Sequence, residues 1–281
     1  MANEAKKDLR KKPLKRMGQN FLVNNNAVRK ILEAAKISRN DYVLEIGAGT
    51  GILTKELLKA KRVFALEKDP DLCNILRKKF KENKNIEIVE GDALKIETDF
   101  LPKNYKIVAN IPYYITSPLI RRFLELENKP SLIILTIQKE VAERICAKPP
   151  KMSLLAVSVQ FYANAKIIAK IKKGCFWPIP KVDSAVIKII PFNREKDDSF
   201  FKIVKAGFSH PRKQVINNLS GVLGLDKKIL SDILLKSGID PLKRPGDLSV
   251  EDWIVVKRLV IENGFMVWLN NKYVFIKSVF L

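Results

Sequence analysis

The sequence predicts an α/β domain built on a seven-stranded sheet, followed by a small domain made of helices alone. Three observations carry this expectation. From residue 24 to residue 188 short apolar runs alternate with segments of helical periodicity, the pattern of a parallel sheet with helices on both faces. A glycine-rich turn, Gly47-Ala48-Gly49-Thr50-Gly51, follows the first long apolar run and opens a helical stretch. Beyond Pro191-Phe192-Asn193 the strand pattern stops and helical stripes alone continue.

The elements follow in order. Asn24-Asn25-Asn26 supplies N-cap acceptors, after which Val28, Ile31, Leu32 and Ala35 recur at helical spacing. Strands are expected at 42–46, 63–67, 86–90, 107–110 and 132–137, each a short apolar run of the kind buried on both faces of such a sheet. Between them, helices bury Leu53, Leu57 and Leu58, then Leu72, Ile75, Leu76 and Phe80, then Leu119, Ile120, Phe123 and Leu124. Ser117-Pro118 reads as the start of the third, serine as N-cap and proline in the first turn. Residues 152–162 are compatible with a helix, and 167–171 and 185–190 complete the seven strands. Helical stripes then lie at 200–208, 215–223, 229–234 and 250–260, with Gly238 and Gly264 where C-terminal caps belong. The last stretch, 265–281, alternates like two short strands around Asn270-Asn271-Lys272 and has no assigned role. The expected division is therefore 1–194 as the ligand-binding domain with a basic N-terminal arm, 195–264 as the helical domain, and 265–281 as a tail.

Composition narrows the function. A chain of 281 residues with 47% hydrophobic content can bury a sizeable core. Lys and Arg number 52 against 30 Asp and Glu, a surplus of 22 that favours a polyanionic partner. Charge enrichment for stability at high temperature would raise both signs together, and here the acids lag. A nucleic acid is the expected partner. Of the metal- and relay-forming residues there is a single histidine, His210, and the three cysteines Cys73, Cys146 and Cys175 form no C-x-x-C pair. Neither a zinc cluster nor a Ser-His-Asp relay has its material, so no metal is expected. The cysteine usage suits a reducing cytoplasm. The basic residues Lys6 to Arg16 precede no apolar segment of signal-peptide type. The run 132–137 is far short of the ~20 residues of a membrane helix.

Chemistry concentrates at the strand ends. Glycines after the first strand let the backbone approach a ligand at the edge where open α/β sheets bind nucleotides. A dinucleotide fingerprint would place its third glycine at position 52, but that residue is Ile52 and the glycine is Gly51. Glu67 ends the second strand, where a carboxylate can accept the ribose hydroxyls of an adenosine-containing ligand. Asp92 follows the third strand and can accept from an adenine amino group, or serve as a simple cap. Asn110-Ile111-Pro112-Tyr113 ends the fourth. The exocyclic nitrogen of adenine is a poor nucleophile because its lone pair is delocalised into the ring. The asparagine oxygen and a backbone carbonyl of the proline turn can accept both N–H bonds and draw that nitrogen toward tetrahedral geometry. Tyr113 offers a face for an extruded base, and stacking of that type contributes about 1–3 kcal/mol. Asn and Pro also favour ordinary turns.

With these go Gly18-Gln19-Asn20-Phe21-Leu22, Val43-Leu44-Glu45-Ile46 ahead of the glycine turn, Tyr114-Ile115 after the tetrad, Gln138-Lys139-Glu140-Val141-Ala142-Glu143-Arg144, and Phe176-Trp177-Pro178-Ile179-Pro180-Lys181-Val182-Asp183-Ser184-Ala185. Over residues 15 to 262 the chain resembles the small-subunit rRNA adenine N6-dimethyltransferases of KsgA type. The resemblance implies a Rossmann-like class I methyltransferase domain with a C-terminal helical domain, and S-adenosylmethionine as methyl donor. It implies N6,N6-dimethylation of two adjacent adenines near the 3′ end of small-subunit rRNA during ribosome assembly. Asn20, Leu22, Gly47, Glu67, Asp92 and Asn110 would line the cofactor site, and Tyr113 and Phe176 would sandwich the target adenine beside Asn110. Partners would be rRNA and the partly assembled small subunit, met by a cytoplasmic monomer. Lys15, Arg16, Arg212 and Lys213 are the leading phosphate contacts. Tyr114→Phe is expected to matter little if Tyr114 is only a packing residue beside the tetrad.

Two positions depart from the family pattern: Ala48 stands where proline is common, and Asn24 where aspartate often follows Asn-Phe-Leu. Competing readings are a large-subunit rRNA adenine methyltransferase of macrolide-resistance type, a catalytically silent RNA-binding assembly factor, and a nicotinamide dehydrogenase. Arg212-Lys213-Gln214-Val215-Ile216-Asn217-Asn218-Leu219 speaks against the first, intact Asn110, Tyr113 and Phe176 against the second, and Ile52 against the third.

Overall fold

The computed structural model describes residues 19–262 and the backbone of 266–269 and 272–275. Lys15, Arg16 and Gly264 lie outside the described residues. Two compact units result: one takes the chain to Glu143 together with Tyr162–Asn193, the other Arg144–Phe161 with the chain from Arg194.

The first unit holds strands β1 (Phe21–Leu22), β2 (Tyr42–Ile46), β3 (Arg62–Glu67), β4 (Ile86–Glu90), β5 (Lys106–Asn110), β6 (Leu132–Gln138), β7 (Ala163–Ile171), β8 (Phe176–Trp177) and β9 (Ser184–Pro191). Its helices are α1 (Asn25–Ala35), α2 (Ile52–Leu57), α3 (Pro70–Lys79) and α4 (Thr116–Glu125). Seven strands form one sheet in the order β4-β3-β2-β5-β6-β9-β7. β2 to β6 pair in parallel, whereas β9 runs antiparallel to both β6 and β7. The all-parallel expectation is thus corrected at the last strand. The connection 172–183 contains no crossover helix, and without one a chain can return beside its predecessor only antiparallel.

One face of this sheet is closed by Val28, Ile31 and Ala35 of α1 and Leu53 and Leu57 of α2, in one buried cluster with Val43, Val63, Val108, Ile134 and Val186. Each fully buried aliphatic side chain there contributes on the order of 1.5–3 kcal/mol. α1 starts as its sequence requires, with the Asn24 side chain accepting the Ala27 N–H at 3.0 Å. Ser117 does not cap α4. A 3₁₀ turn, Tyr113–Ile115, runs directly into the helix at Thr116, whose Oγ1 donates to the Tyr113 carbonyl at 2.9 Å.

The second unit contains α5 (Lys139–Ile145) in part, most of α6 (Leu154–Tyr162), and α7 (Asp198–Gly207), α8 (Val215–Leu223), α9 (Lys227–Lys236) and α10 (Val250–Glu262). Phe161 explains why a segment from the middle of the chain belongs here. Its ring stacks on Phe200 at 4.0 Å between centroids and meets Phe201 edge-on, with the Arg194 guanidinium 4.6 Å from its centroid. Trp253 of α10 lies fully buried against Phe208. The tail strands β10 (Met266–Leu269) and β11 (Lys272–Phe275) pair antiparallel, as their alternation predicts.

Candidate active site

Strand β2 delivers the chain into the glycine turn, and the turn folds back across the end of β3. The Gly47 and Ala48 N–H groups both donate to the Leu66 carbonyl, at 2.8 and 3.3 Å. Gly49 has φ +58, and a Cβ there would stand 3.1 Å from the Phe21 ring. Gly51 has φ +78, and its Cβ would press against Phe80 and Leu76 at under 3 Å. Both positions need the left-handed region and the missing side chain at once, which glycine alone satisfies without strain. On its far side the turn is held by the Lys79 Nζ, which donates to the Thr50 carbonyl at 2.8 Å.

Glu67 is the buried fastener of the turn. Its Oε2 accepts the Gly49 N–H at 2.9 Å, and its Oε1 accepts the N–H groups of Lys68 and Asp69 at 2.8 and 3.0 Å. Burial pushes its carboxyl above the usual range, while these backbone donors pull it down. A carboxylate offers about four lone-pair sites, so one on Oε2 is left to face a ligand.

Glu45 of β2, 1% exposed, is a second acid behind the turn. Its Oε2 and the Oγ1 of Thr54 in α2 both lack a hydrogen-bond partner among the described residues. Burial, with the Glu67 charge adding to it, pushes the Glu45 carboxyl to about 8. The group is therefore protonated in the folded protein at neutral pH. Below its ordinary value of 4.5 both folded and unfolded states carry the proton and its contribution to stability is complete. From there to about 8 the unfolded chain alone loses it, and stability falls by at most about 1.4 kcal/mol per pH unit. Glu45→Gln, a neutral isostere, is expected to melt several degrees above the parent at pH 8 and level with it below about pH 4. Parallel melting curves across that range would refute a buried, protonated Glu45.

Asp92 follows β4. Its Oδ1 accepts the Leu94 N–H at 2.9 Å and its Oδ2 takes the Lys68 ammonium at 2.8 Å. The Lys68 hydrogen bond holds the Asp92 carboxyl below the usual carboxylate range. Asn110 ends β5. Its Nδ2 donates to the Asn20 carbonyl at 2.9 Å, across a sequence separation of 90. The amide nitrogen being committed, Oδ1 is left as the acceptor. Tyr113 is half-buried, its Oη 2.7 Å from the Ser184 Oγ of β9, and burial pushes its hydroxyl above the ordinary tyrosine value. Tyr114 is 62% exposed and lines the cleft, so it is not a packing residue.

These strand ends line a cleft, open in part to solvent, whose walls include Asn20, Gly47, Glu67, Asp92 and Asn110. Five of the expected cofactor residues are thus brought together; Leu22 is not. At 5% exposure Leu22 sits in the core, and Phe21 takes the place at the wall. The reason is the short ribbon of β1 with β8, in which Phe21 pairs with Trp177 and Leu22 with Phe176. Alternate side chains of a strand face opposite ways. Phe176 is likewise 2% exposed and part of the core cluster, not of the cleft wall. Arg212 and Lys213 are exposed in the loop before α8 of the second unit. Lys68, Phe21 and Gln19, whose Nε2 reaches Asp69 at 3.4 Å, also line the wall, and sequence reasoning does not single them out. The Gly18-Gln19-Asn20-Phe21 motif is the signal that could have found the last two. Among the described residues no three His, Cys, Asp or Glu side chains cluster as metal ligands, and no helix is long and apolar enough to cross a membrane.

The profile of the family described as "Ribosomal RNA adenine dimethylase" matches residues 10–261. A protein of Dehalococcoides mccartyi named Ribosomal RNA small subunit methyltransferase A is 42% identical over 260 residues, covering 89% of this chain and 88% of that one. Among solved structures, a dimethyladenosine transferase from Plasmodium falciparum aligns with a TM-score of 0.78 at 30% identity, over 87% of this chain and 98% of its own. The 23S rRNA methyltransferase ErmE aligns with a TM-score of 0.71 at 26% identity, over 86% of this chain and 100% of its own.

Proposed function

This chain belongs to the ribosomal RNA adenine dimethylase family, and from that premise we propose that it places two methyl groups on N6 of each of two adjacent adenines near the 3′ end of small-subunit rRNA. It is an rRNA adenine methyltransferase of the small subunit. The methyl donor in this reading is S-adenosylmethionine, the substrate is RNA within a partly assembled small subunit, and the enzyme works as a cytoplasmic monomer. The observation that carries the reading is the Asn110 amide, tied to the Asn20 carbonyl at the mouth of the cleft with Oδ1 left to accept.

The cleft suits the proposed donor. Bare backbone at Gly49 forms a cradle that a Cβ would fill, and Glu67 retains one acceptor position among its backbone donors. Asn20, Gly47, Glu67, Asp92 and the Lys68 paired with it would hold the nucleoside. When bound, S-adenosylmethionine supplies an electrophilic methyl group. Asn110 Oδ1, with a backbone carbonyl of the Ile111-Pro112 turn, accepts the two N–H bonds of the target amine and orients its lone pair. No strong base is needed, and neither carboxylate of the cleft is poised as one: Glu67 is engaged by three backbone donors and Asp92 by Lys68. Tyr113 supplies one face for the extruded base. Phe176 supplies the other in this reading, although in this structure it lies in the core cluster and not in the cleft wall. Lys15, Arg16, Arg212 and Lys213 hold phosphates.

Labelled S-adenosylmethionine offered with separated small subunits, large subunits and free rRNA tests this reading. Label recovered as N6,N6-dimethyladenosine from small subunits is expected; label confined to large-subunit RNA, or no transfer at all, would overturn it.

A further inference from the structure

Residues 162–193 of the first unit carry a one-sided charge. Lys166, Lys170, Lys172, Lys173, Lys181 and Lys188 stand against a single acid, Asp183, whose Oδ1 is occupied by the Lys173 N–H at 2.9 Å. All but Lys188 are exposed. Several cations elsewhere in the unit meet acids, as in Arg62–Glu87, Lys68–Asp92 and Lys106–Asp41. No such pair among the described residues engages these six ammonium groups.

Part of this has an ordinary explanation. β7 is the last strand of the sheet, and lysines on an edge strand discourage pairing with other chains. That accounts for Lys166 in mid-strand; Lys170, one residue before the strand's end, also stands beside the connection to β9. Edge protection does not account for Lys172, Lys173 and Lys181, which belong to the connection between β7 and β9, beyond the ladder an intruding strand would use.

The place of that connection gives it a direction. Ser184, which ends it, pairs with Gln138 at the end of β6 and with Ile171 at the end of β7. The connection therefore lies at the same sheet edge as Asn110, and the Ser184 Oγ meets the Tyr113 hydroxyl there. Its Cys175 carbonyl also accepts the Val23 N–H at 2.9 Å, linking it to the segment that walls the cleft. Ile179 and Val182, 65% and 45% exposed, stand among the lysines and leave apolar surface beside the ammonium groups.

We infer that Lys170, Lys172, Lys173 and Lys181 form a phosphate-binding rim for the single-stranded RNA that flanks the target adenine, alongside the cleft. The inference rests on the reading of the chain as an rRNA adenine methyltransferase. An ammonium group that neutralises a phosphate releases a counterion, so each lysine removed from the rim should reduce the slope of log affinity against log salt by about 0.7–0.9.

The test compares two fourfold variants of the full chain with equal loss of charge. One is Lys170→Gln, Lys172→Gln, Lys173→Gln and Lys181→Gln; the other changes the exposed Lys59, Lys78, Lys84 and Lys103 to glutamine. Affinity for small-subunit rRNA is measured by fluorescence anisotropy over a salt series, and S-adenosylhomocysteine binding by calorimetry reports an intact cleft. The rim variant is expected to lose about 3 from the slope, with cofactor-site affinity unchanged and the control variant close to the parent. Equal slopes for the two variants, whether both reduced or both unchanged, would overturn the rim while leaving the enzymatic reading standing. A parent protein that neither binds nor methylates RNA would overturn that reading and the rim with it.

Discussion

Asn110→Ala is expected to lower methyl transfer by about 10²–10³-fold, the usual effect of deleting one preorganised polar partner of a transition state, while RNA affinity stays near that of the parent. In the proposed mechanism the amine gains positive charge as it attacks, and the Asn110 Oδ1 is the acceptor that stabilises it. Two losses combine in the variant. The acceptor disappears, and the Asn20 carbonyl is deprived of the 2.9 Å hydrogen bond that ties the N-terminal segment over the cleft. In the proposed reading RNA binding rests on phosphate contacts away from the tetrad, so it should not follow. Transfer rate and RNA affinity measured on the same preparation separate the two roles. Full activity would sink the proposed mechanism, and a matching loss of RNA affinity would make the tetrad a docking element.

Glu67→Ala should weaken binding of the cofactor or its demethylated product at least tenfold, from the loss of a charge-assisted hydrogen bond of roughly 1.5–3 kcal/mol. The structure sharpens the expectation that Glu67 receives both ribose hydroxyls. Three of its acceptor positions already hold Gly49, Lys68 and Asp69, so a ligand finds one open position on Oε2. The alanine variant removes that acceptor and also leaves three backbone donors around the glycine turn without their partner. Part of its defect should therefore appear as a lower melting temperature. Glu67→Gln keeps one carbonyl oxygen of the same shape and should recover part of the stability with less of the affinity. Calorimetry and thermal unfolding on both variants check this. Parent-like affinity in the alanine variant would remove Glu67 from the site.

Much of this protein is legible in its sequence. The five parallel strands are apolar runs and the helices have apolar stripes, patterns set by neighbours two to four residues away. Asn24 as the cap of α1, and Gly51 in place of a third glycine at position 52, can be read in the same way, because turn and cap chemistry is equally local. The terminal β10–β11 pairing is readable from alternation for the same reason. Asn110, Glu67 and Asp92 fall at strand ends, and open α/β sheets gather such ends along one edge.

What only the tertiary structure decided depends on residues far apart in the chain. The antiparallel course of β9, the enclosure of Leu22 and Phe176 by the β1–β8 ribbon, and the union of 144–161 with the helical unit through Phe161 and Phe200 leave no local trace. The same holds for the engagement of Glu67 with Gly49, of Asp92 with Lys68 and of Asn110 with Asn20, at sequence separations of 18, 24 and 90. Periodicity states which face of an element is apolar, but which polar atom meets which is settled when the packed elements close on one another. A buried donor or acceptor must then take a partner from whatever the fold has brought within about 3 Å.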